Sequence, residues 1–299
     1  MNGTNSSAAT GQPSLVSVVI PNLNGESTLG DQLDALASQT YGDDWEVVVA
    51  DNGSTDRSVD IAREWGERHD RLRLVDASQR RGRNAARNQG ASAAQGDLIL
   101  FCDNDDVVSA EWLEAMVEAL ADHDLVGGWI EQESLNEDTS GWRTPAPRDR
   151  LPVAIGFLPF APSGNCGIRT DVFERLGGWN EEYEGGGEDE ELSFRAGLAG
   201  YKLGFAPDAV IHYRHRSDGG SLARQQYAFG REEAHLYRDF RQDGLRRSST
   251  RTALTEWAWL VWHLPDLFRA DDRRGNWIRK AATRWGRLVG SVKYRVFYL

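Results

Sequence analysis

Residues 81–106 read RGRNAARNQGASAAQGDLILFCDNDD. An Ala-rich segment, Asn84–Ala94, leads into an apolar run, Asp97–Cys102, which ends on Asp103-Asn104-Asp105-Asp106. Small residues at helical spacing let a helix lie close against a sheet. An apolar run without alternation is the pattern of a strand covered on both faces. Sheets of that kind bind ligands beyond the carboxyl ends of their strands, which is where the acidic run falls.

The same alternation continues on both sides of this stretch. Upstream, Leu15–Ile20 reads as a strand halted at Pro21, and Leu29, Leu33 and Leu36 follow at helical spacing. Trp45–Ala50 is a second strand, Asp56 can cap a helix carrying Val59, Ala62 and Trp65, and Leu72–Val75 is a third strand. Downstream, Ser109 can cap a helix with Leu113, Met116, Val117 and Leu120 on one face, and Leu125–Ile130 is another strand. Such spacing predicts an α/β fold with a mostly parallel central sheet flanked by helices. Residues 131–162 have poor periodicity and frequent Pro, and read as a long surface excursion. Thr170 can cap a short helix ending at Gly177-Gly178. The run Gly185–Gly187 precedes a helix over Glu188–Ala199, and Leu203–Ala206 and Ala209–Tyr213 are strand-like. The remainder looks helical. The expected organisation is a flexible arm over 1–14, a domain over 15–217 and a helical extension over 218–299.

The 299 residues carry a formal charge of −12, which argues against nucleic acid as a partner. The charge is uneven, because Arg273–Leu299 holds eight Lys or Arg and no Asp or Glu. There Trp277, Ile278, Trp285, Leu288, Val289 and Val292 alternate with bases, the pattern of a basic amphipathic helix able to lie on an anionic membrane or pack on the domain. Two cysteines, Cys102 and Cys166, make neither a disulfide framework nor a zinc cluster. The amino terminus has no signal-peptide pattern, so the expected location is the cytoplasm, with the tail as the candidate contact to the inner face of a membrane.

Five clusters can carry chemistry. Asp103 and Asp105 would face one way on an extended backbone. Close carboxylates repel unless one protonates or a cation lies between them, and Mg²⁺ or Mn²⁺ suits such oxygens. Asp51-Asn52-Gly53-Ser54-Thr55-Asp56 suits a tight turn, while Asp51 at a strand end could also accept hydrogen bonds from a base or ribose. Arg80, Arg81, Arg83 and Arg87 open the Ala-rich helix, where guanidinium forks suit phosphate or carboxylate. Glu188-Asp189-Glu190-Glu191 favours a helix start. Crowding there also raises carboxyl pKa values toward those of a general base. His212, with His215 as a competitor, lies in AVIHYRHR at 209–216.

These pieces occur together in a fixed order: VSVVIPNLN, DNGSTD, RGRNAARNQGASAAQGDLILFCDNDD, NCGIRTDVFERLGGWNEEY, GGGEDEELSFRAGLAGY and AVIHYRHR. Over roughly residues 15–216 the chain resembles the family-2 inverting glycosyltransferases with the GT-A fold. The resemblance implies a nucleotide-diphospho-sugar donor (UDP-, dTDP- or GDP-linked), a saccharide or lipid-linked acceptor, and Mn²⁺ or Mg²⁺. It places Asp51 at the nucleobase with Pro21, Asn22 and Asn24 beneath it. Asp103 and Asn104 lie near ribose and metal, Asp105 on the metal, and Arg83 and Arg87 near the donor. Asp189 becomes the base, with Glu188 beside it, and His212 a third metal ligand. Asp106 and Glu188 depart from the pattern as acidic neighbours that could share the assigned roles. A noncatalytic nucleotide-sugar-binding protein and a nucleotidyltransferase of similar fold are the alternatives. A dehydrogenase is argued against because no Gly-x-Gly-x-x-Gly follows the first strand.

Overall fold

A computed structural model describes residues 13–136, 146–215, 219–247, 249–269 and 272–298. Most of the arm expected over 1–14, and 137–145 of the excursion, lie outside the described residues. Ser14 is tied down, its backbone N donating to Asp97 Oδ2 at 2.7 Å.

The strands are β1 (Val16–Asn22), β2 (Trp45–Asp51), β3 (Leu72–Asp76), β4 (Leu98–Cys102), β5 (Val107–Val108), β6 (Leu125–Glu131), β7 (Asn165–Arg169) and β8 (Leu203–His212). They form one sheet in the order β3-β2-β1-β4-β7-β6-β8-β5. β3, β2, β1 and β4 are mutually parallel, as are β6 and β8. β7 is antiparallel to both β4 and β6, and β5 is antiparallel to β8.

The helices are α1 (Leu29–Ala37), α2 (Ser58–Gly66), α3 (Arg83–Ala93), α4 (Trp112–Leu120), α5 (Thr170–Leu176), α6 (Glu188–Leu198), α7 (Gly219–Phe240), α8 (Thr250–Trp262) and α9 (Asp272–Lys293). Alternate residues of each central strand serve opposite cores. Val18, Val47 and Leu100 meet Leu33, Trp65 and Trp112 from α1, α2 and α4. Val19, Val48 and Phe101 meet Ala91, Phe173 and Leu192 from α3, α5 and α6. Burial on both faces is why β1, β2 and β4 read as near-continuous apolar runs, broken only by buried Ser17 and Glu46 within their apolar stretches.

Several local expectations are corrected. β5 and β7 were not anticipated. β7, sequence NCGIR, lacks a strand's usual bulk because Leu100 and Leu120 fill the space where a side chain on Gly167 would stand. The two late strand pieces are one strand, with a register shift opposite Gly128 and Trp129 that absorbs Pro207, Asp208 and Ala209. None of the three proposed caps is a side-chain N-cap. α2, α4 and α5 are preceded by Arg57, Glu111 and Arg169. Asp56 still accepts from the Ser58 backbone N at 3.0 Å, one turn position early. The excursion is partly internal, since Leu151, Ala154 and Ala161 are buried.

The C-terminal helices close on the domain through a third core, where Leu236, Phe240 and Leu245 pack with Tyr183, Phe194 and Ala154. Two of the bases of α9 are taken up inside the protein. The helix lies on α7, and its Arg284 and Arg287 pair at 2.5 Å with Glu256 and Glu233. The α7–α9 crossing is close enough that a Cβ on Gly286 would collide with the Tyr227 carbonyl oxygen. Helix propensity alone favours Gly286→Ala by about 1 kcal/mol, whereas overpacking costs about 1–3 kcal/mol. Gly286→Ala should therefore lower the thermal midpoint; a raised midpoint in calorimetry would contradict the close crossing.

Candidate active site

The carboxyl ends of β1, β2 and β4 are sewn together by side chains. Asn22 Nδ2 donates to Asp51 Oδ1 at 2.9 Å, and Asn104 Nδ2 donates to Asn22 Oδ1 at 2.7 Å. Gly25 permits this approach, because a Cβ there would run into the Asn104 side chain. Asp51 also accepts from the backbone N of Gly53 at 3.2 Å and of Ser54 at 3.0 Å, and from Ser54 Oγ at 2.5 Å. Asp51 is thus the organiser of its own turn. Asn24, in the left-handed region at φ 54°, accepts from Thr55 N on Oδ1 at 2.9 Å and binds the same loop. Asn52, buried, donates to the carbonyls of Ala77 and Arg80 and accepts from Gly82 N at 2.9 Å, which positions the start of α3.

From that helix Arg87 enters the core with no solvent exposure. Its Nη2 donates to Asp103 Oδ1 at 2.9 Å and its Nη1 to Glu188 Oε1 at 3.3 Å and Asn84 Oδ1 at 3.2 Å. The guanidinium lies 5.2 Å from the Trp179 ring centroid. One buried cation therefore joins the β4 turn to the start of α6. Arg83, a turn earlier and half exposed, reaches Glu188 Oε1 at 3.9 Å. The carboxylate of Asp103, with Glu188 and Asp105 behind it, holds the Arg83 proton more firmly than usual.

Carboxylate oxygens of Asp103, Asp105 and Asp106 lie within 4.8 Å of one another. Asp106 is buried, and its carboxyl is raised well above the usual range by that burial and then by Asp105 and Asp103. Three oxygen donors with this mutual repulsion suit a hard divalent cation, which would remove the repulsion. The turn is held from outside by residues that sequence reasoning missed. Buried Gln32 donates to Asp103 O at 3.2 Å and accepts from Val108 N at 3.0 Å. Arg214 donates its backbone N to Asp106 Oδ1 at 2.9 Å and its Nε to Asp105 O at 3.1 Å. Gln32 carried a signal, being a polar residue on the apolar face marked by Leu29 and Leu36. Arg214 carried none.

The four acids of α6 are sorted by their partners. Glu191 takes both nitrogens of the Arg195 fork at 2.8 Å. Glu188, buried, faces Arg87; burial and then Asp189 raise its pKa against the pull of Arg87 and Arg83. Glu190 is pushed well up by burial and then by Asp189. Asp189 is half buried beside both. The buried thiol of Cys166, raised first by burial, feels Arg87, Asp189 and Asp103 together. The structure thus brings residues 83, 87, 103, 105, 188 and 189 into one region, joined to 22, 24, 51 and 104 by the network above.

His212 is not among the three residues whose ligand atoms cluster within 4.8 Å. It pairs with Val107 across β5 and β8, so it borders the turn, and its Nδ1 lies 2.8 Å from Glu131 Oε2. His215 is placed against Tyr213, its backbone N donating to Asn136 Oδ1 at 2.6 Å.

With this geometry established, comparison with known proteins is specific. Residues 17–177 match glycosyl transferase family 2, and residues 98–270 match glycosyl transferase family group 2. Glycosyltransferase AglE of Haloferax volcanii is 33% identical over 226 residues, covering 74% of each chain. The chain belongs to glycosyl transferase family 2 and has the GT-A fold. The mannosyltransferase PcManGT of Pyrobaculum calidifontis, solved with GDP-Man and Mn²⁺, superposes with a TM-score of 0.64 at 19% identity over 96% of this chain and 88% of that one. TarS 1–349 of S. aureus with UDP gives 0.54 at 19% identity, over 95% and 93%.

Arg87→Ala would leave Asp103 and Glu188 with only the half-exposed Arg83 nearby, and breaking such a buried pair costs about 3–5 kcal/mol. Arg87→Lys keeps the charge but not the fork that reaches two carboxylates. Urea unfolding should rank the wild type above Lys and Lys above Ala; an Ala variant as stable as wild type would refute the bridge.

Glu131 supplies a pH test. Burial raises its pKa, but hydrogen bonds from His212 and Ser134 and from the Glu133 backbone overcome this and depress it from 4.5 to about 2. A depressed carboxyl stabilises fully above its unfolded value and loses that contribution as pH falls through its folded one. Urea midpoints of wild type and Glu131→Gln should differ at neutral pH and converge as pH drops from about 4.5 toward 2. A gap unchanged by acid would contradict the pairing.

Proposed function

We propose that this glycosyltransferase moves a sugar from a UDP-, dTDP- or GDP-linked donor to a hydroxyl of a saccharide or lipid-linked acceptor, with inversion and with Mn²⁺ or Mg²⁺. The observation that carries the reading is the buried Arg87 bridge, which sets the Asp189 helix start against the Asp103–Asp106 turn. The likeness to a mannosyltransferase solved with GDP-Man and Mn²⁺ supports the donor class and the metal.

Asp103, Asp105 and Asp106 would hold the cation. His212 is assigned beside them, because Nδ1–H donation to Glu131 leaves Nε2 as the lone-pair nitrogen, the arrangement of a metal-ligating imidazole. When bound, the metal supplies positive charge for the diphosphate, which an acidic protein would otherwise repel. Asp51, with Pro21, Asn22 and Asn24, forms the floor under the nucleobase. Arg83 faces the donor phosphates, while Arg87 acts by fixing Asp103 and Glu188. Asp189 takes the proton of the acceptor hydroxyl as its oxygen attacks the anomeric carbon from the face opposite the leaving diphosphate. The glycosyl–phosphate bond breaks as the new glycosidic bond forms, so one displacement inverts the centre. Glu188 stays paired with Arg87, and Glu190, whose pKa is pushed well up by burial and then by Asp189, is the second acid beside it.

A panel of nucleotide sugars assayed with Mn²⁺ and with chelator tests class, metal and sugar together. Asp189→Asn should lower turnover by about 10²–10⁴ while sparing donor binding. Asp105→Ala should weaken donor binding with Mn²⁺ and leave the weak binding without it unchanged, as calorimetry would read. Full activity of Asp189→Asn, or release of pyrophosphate from a nucleoside triphosphate in place of a nucleoside diphosphate from a sugar donor, would overturn the reading.

A further inference from the structure

Residues 250–268 read TRTALTEWAWLVWHLPDLF. A helix apolar on all sides belongs in a core or in lipid, and α8 meets that condition on one side only. Ala253 and Leu260 are buried, and Trp277 Nε1 of α9 donates to Leu260 O at 3.0 Å. Glu256, the only charged residue between Thr252 and Trp262, is engaged by Arg284. The opposite stripe, Leu254, Ala258, Val261, Trp262 and Pro265, faces solvent at helical spacing. Val261 is 76% exposed, Trp262 84%, and Phe268 of the following 3₁₀ turn 83%. A groove of about 670 Å³ between α7, α8 and α9, walled by Tyr227, Trp257, Trp277 and Trp285, continues this apolar surface inward.

Single exposed apolar residues need no explanation, but a contiguous stripe of this size marks a binding surface. Its flanks indicate the partner. Exposed Arg246, Arg247 and Arg251 stand at one end and exposed Arg274 at the other, beside Arg269, which Asp266 answers at 3.4 Å, on a chain whose formal charge is −12. Such a chain is repelled by an anionic surface except where its bases gather. Two copies carrying that charge repel one another as well. An apolar face carrying Trp, Phe and Leu between arginines is the pattern of a helix lying in a bilayer interface. The 13 residues of α8 extend about 20 Å, short of the roughly 30 Å hydrocarbon layer. Among the described residues no helix is long and apolar enough to cross a membrane.

We propose that the exposed face of α8 and the turn through Phe268 form a docking surface for an anionic membrane, with Leu254, Val261, Trp262 and Phe268 entering the interface and the flanking arginines meeting lipid headgroups. The element concerned is α8, where the sequence pointed to α9. The basic side chains Arg284 and Arg287 of α9 are engaged within the protein, whereas the α8 face has no protein covering it among the described residues.

The test is co-sedimentation of the full chain with extruded vesicles of phosphatidylcholine, with and without phosphatidylglycerol. Wild type should pellet with the anionic vesicles and be released by high salt. Trp262→Ser with Phe268→Ser should weaken vesicle binding by on the order of tenfold or more. Arg246→Gln with Arg251→Gln should weaken it about tenfold on anionic vesicles only. All four positions are exposed, so thermal midpoints should match wild type. Wild type left in the supernatant with both vesicle types, or a Trp262→Ser/Phe268→Ser protein pelleting like wild type, would overturn the proposal. A wild-type dimer in sedimentation velocity that this double variant abolishes, without vesicle binding, would reassign the face to a second copy and equally overturn it.

Discussion

A guanidinium with no solvent exposure must be held by charge. In this molecule the partners of Arg87 come from two parts of the chain that share no local connection. Asp103 ends a parallel strand, and Glu188 opens a helix 85 positions later. Removing the cation from water is expensive, and the cost is offset only when both carboxylates and Asn84 are in place. The pairing therefore acts as a geometric condition on the fold. If α3, the β4 turn and α6 are not correctly assembled, a buried charge is left without compensation.

The acids around this bridge divide into those answered by a base or by backbone amides and a triplet whose members crowd one another. Glu191 is committed to Arg195 and Glu188 to Arg87, and Asp51 is committed to its turn. The triplet at 103, 105 and 106 is different in kind, because its members crowd one another. Burial of Asp106 beside two further carboxylates raises its proton affinity, and a divalent cation would relieve the same strain. Gln32 and Arg214 hold the turn in that crowded state through its backbone and through Asp106.

The carboxy-terminal helices show how packing redistributes what a pattern suggests. α9 has the stronger amphipathic signature in sequence, yet its glycines let it close onto α7, and its Arg284 and Arg287 find acids there and on α8. α8, with almost no charge of its own, is left apolar on both sides and has only one side to bury. The third core through Tyr183 and Phe194 joins these helices to the stretch just before Gly185–Gly187. The apolar outer surface and the active site are thus parts of one packed unit.

Periodicity alone was enough to determine the α/β class, the strands β1 to β4 and the positions of the acidic runs at strand ends. Those features follow from burial on two faces of a parallel sheet, which writes itself into consecutive residues. The ordered motifs likewise sufficed for the family. What consecutive residues cannot encode is which of several acids meets which base. That Asn22 and Ser54 both reach Asp51 and fix it at the end of β2 is visible only once the strands are assembled. β7 was hidden because its glycine is required by Leu100 and Leu120 across the sheet. Arg214 gave no signal because its partners lie about a hundred positions away. Pairings over such distances are decided by tertiary structure, since they exist only after the chain has closed on itself and water has left the space between them.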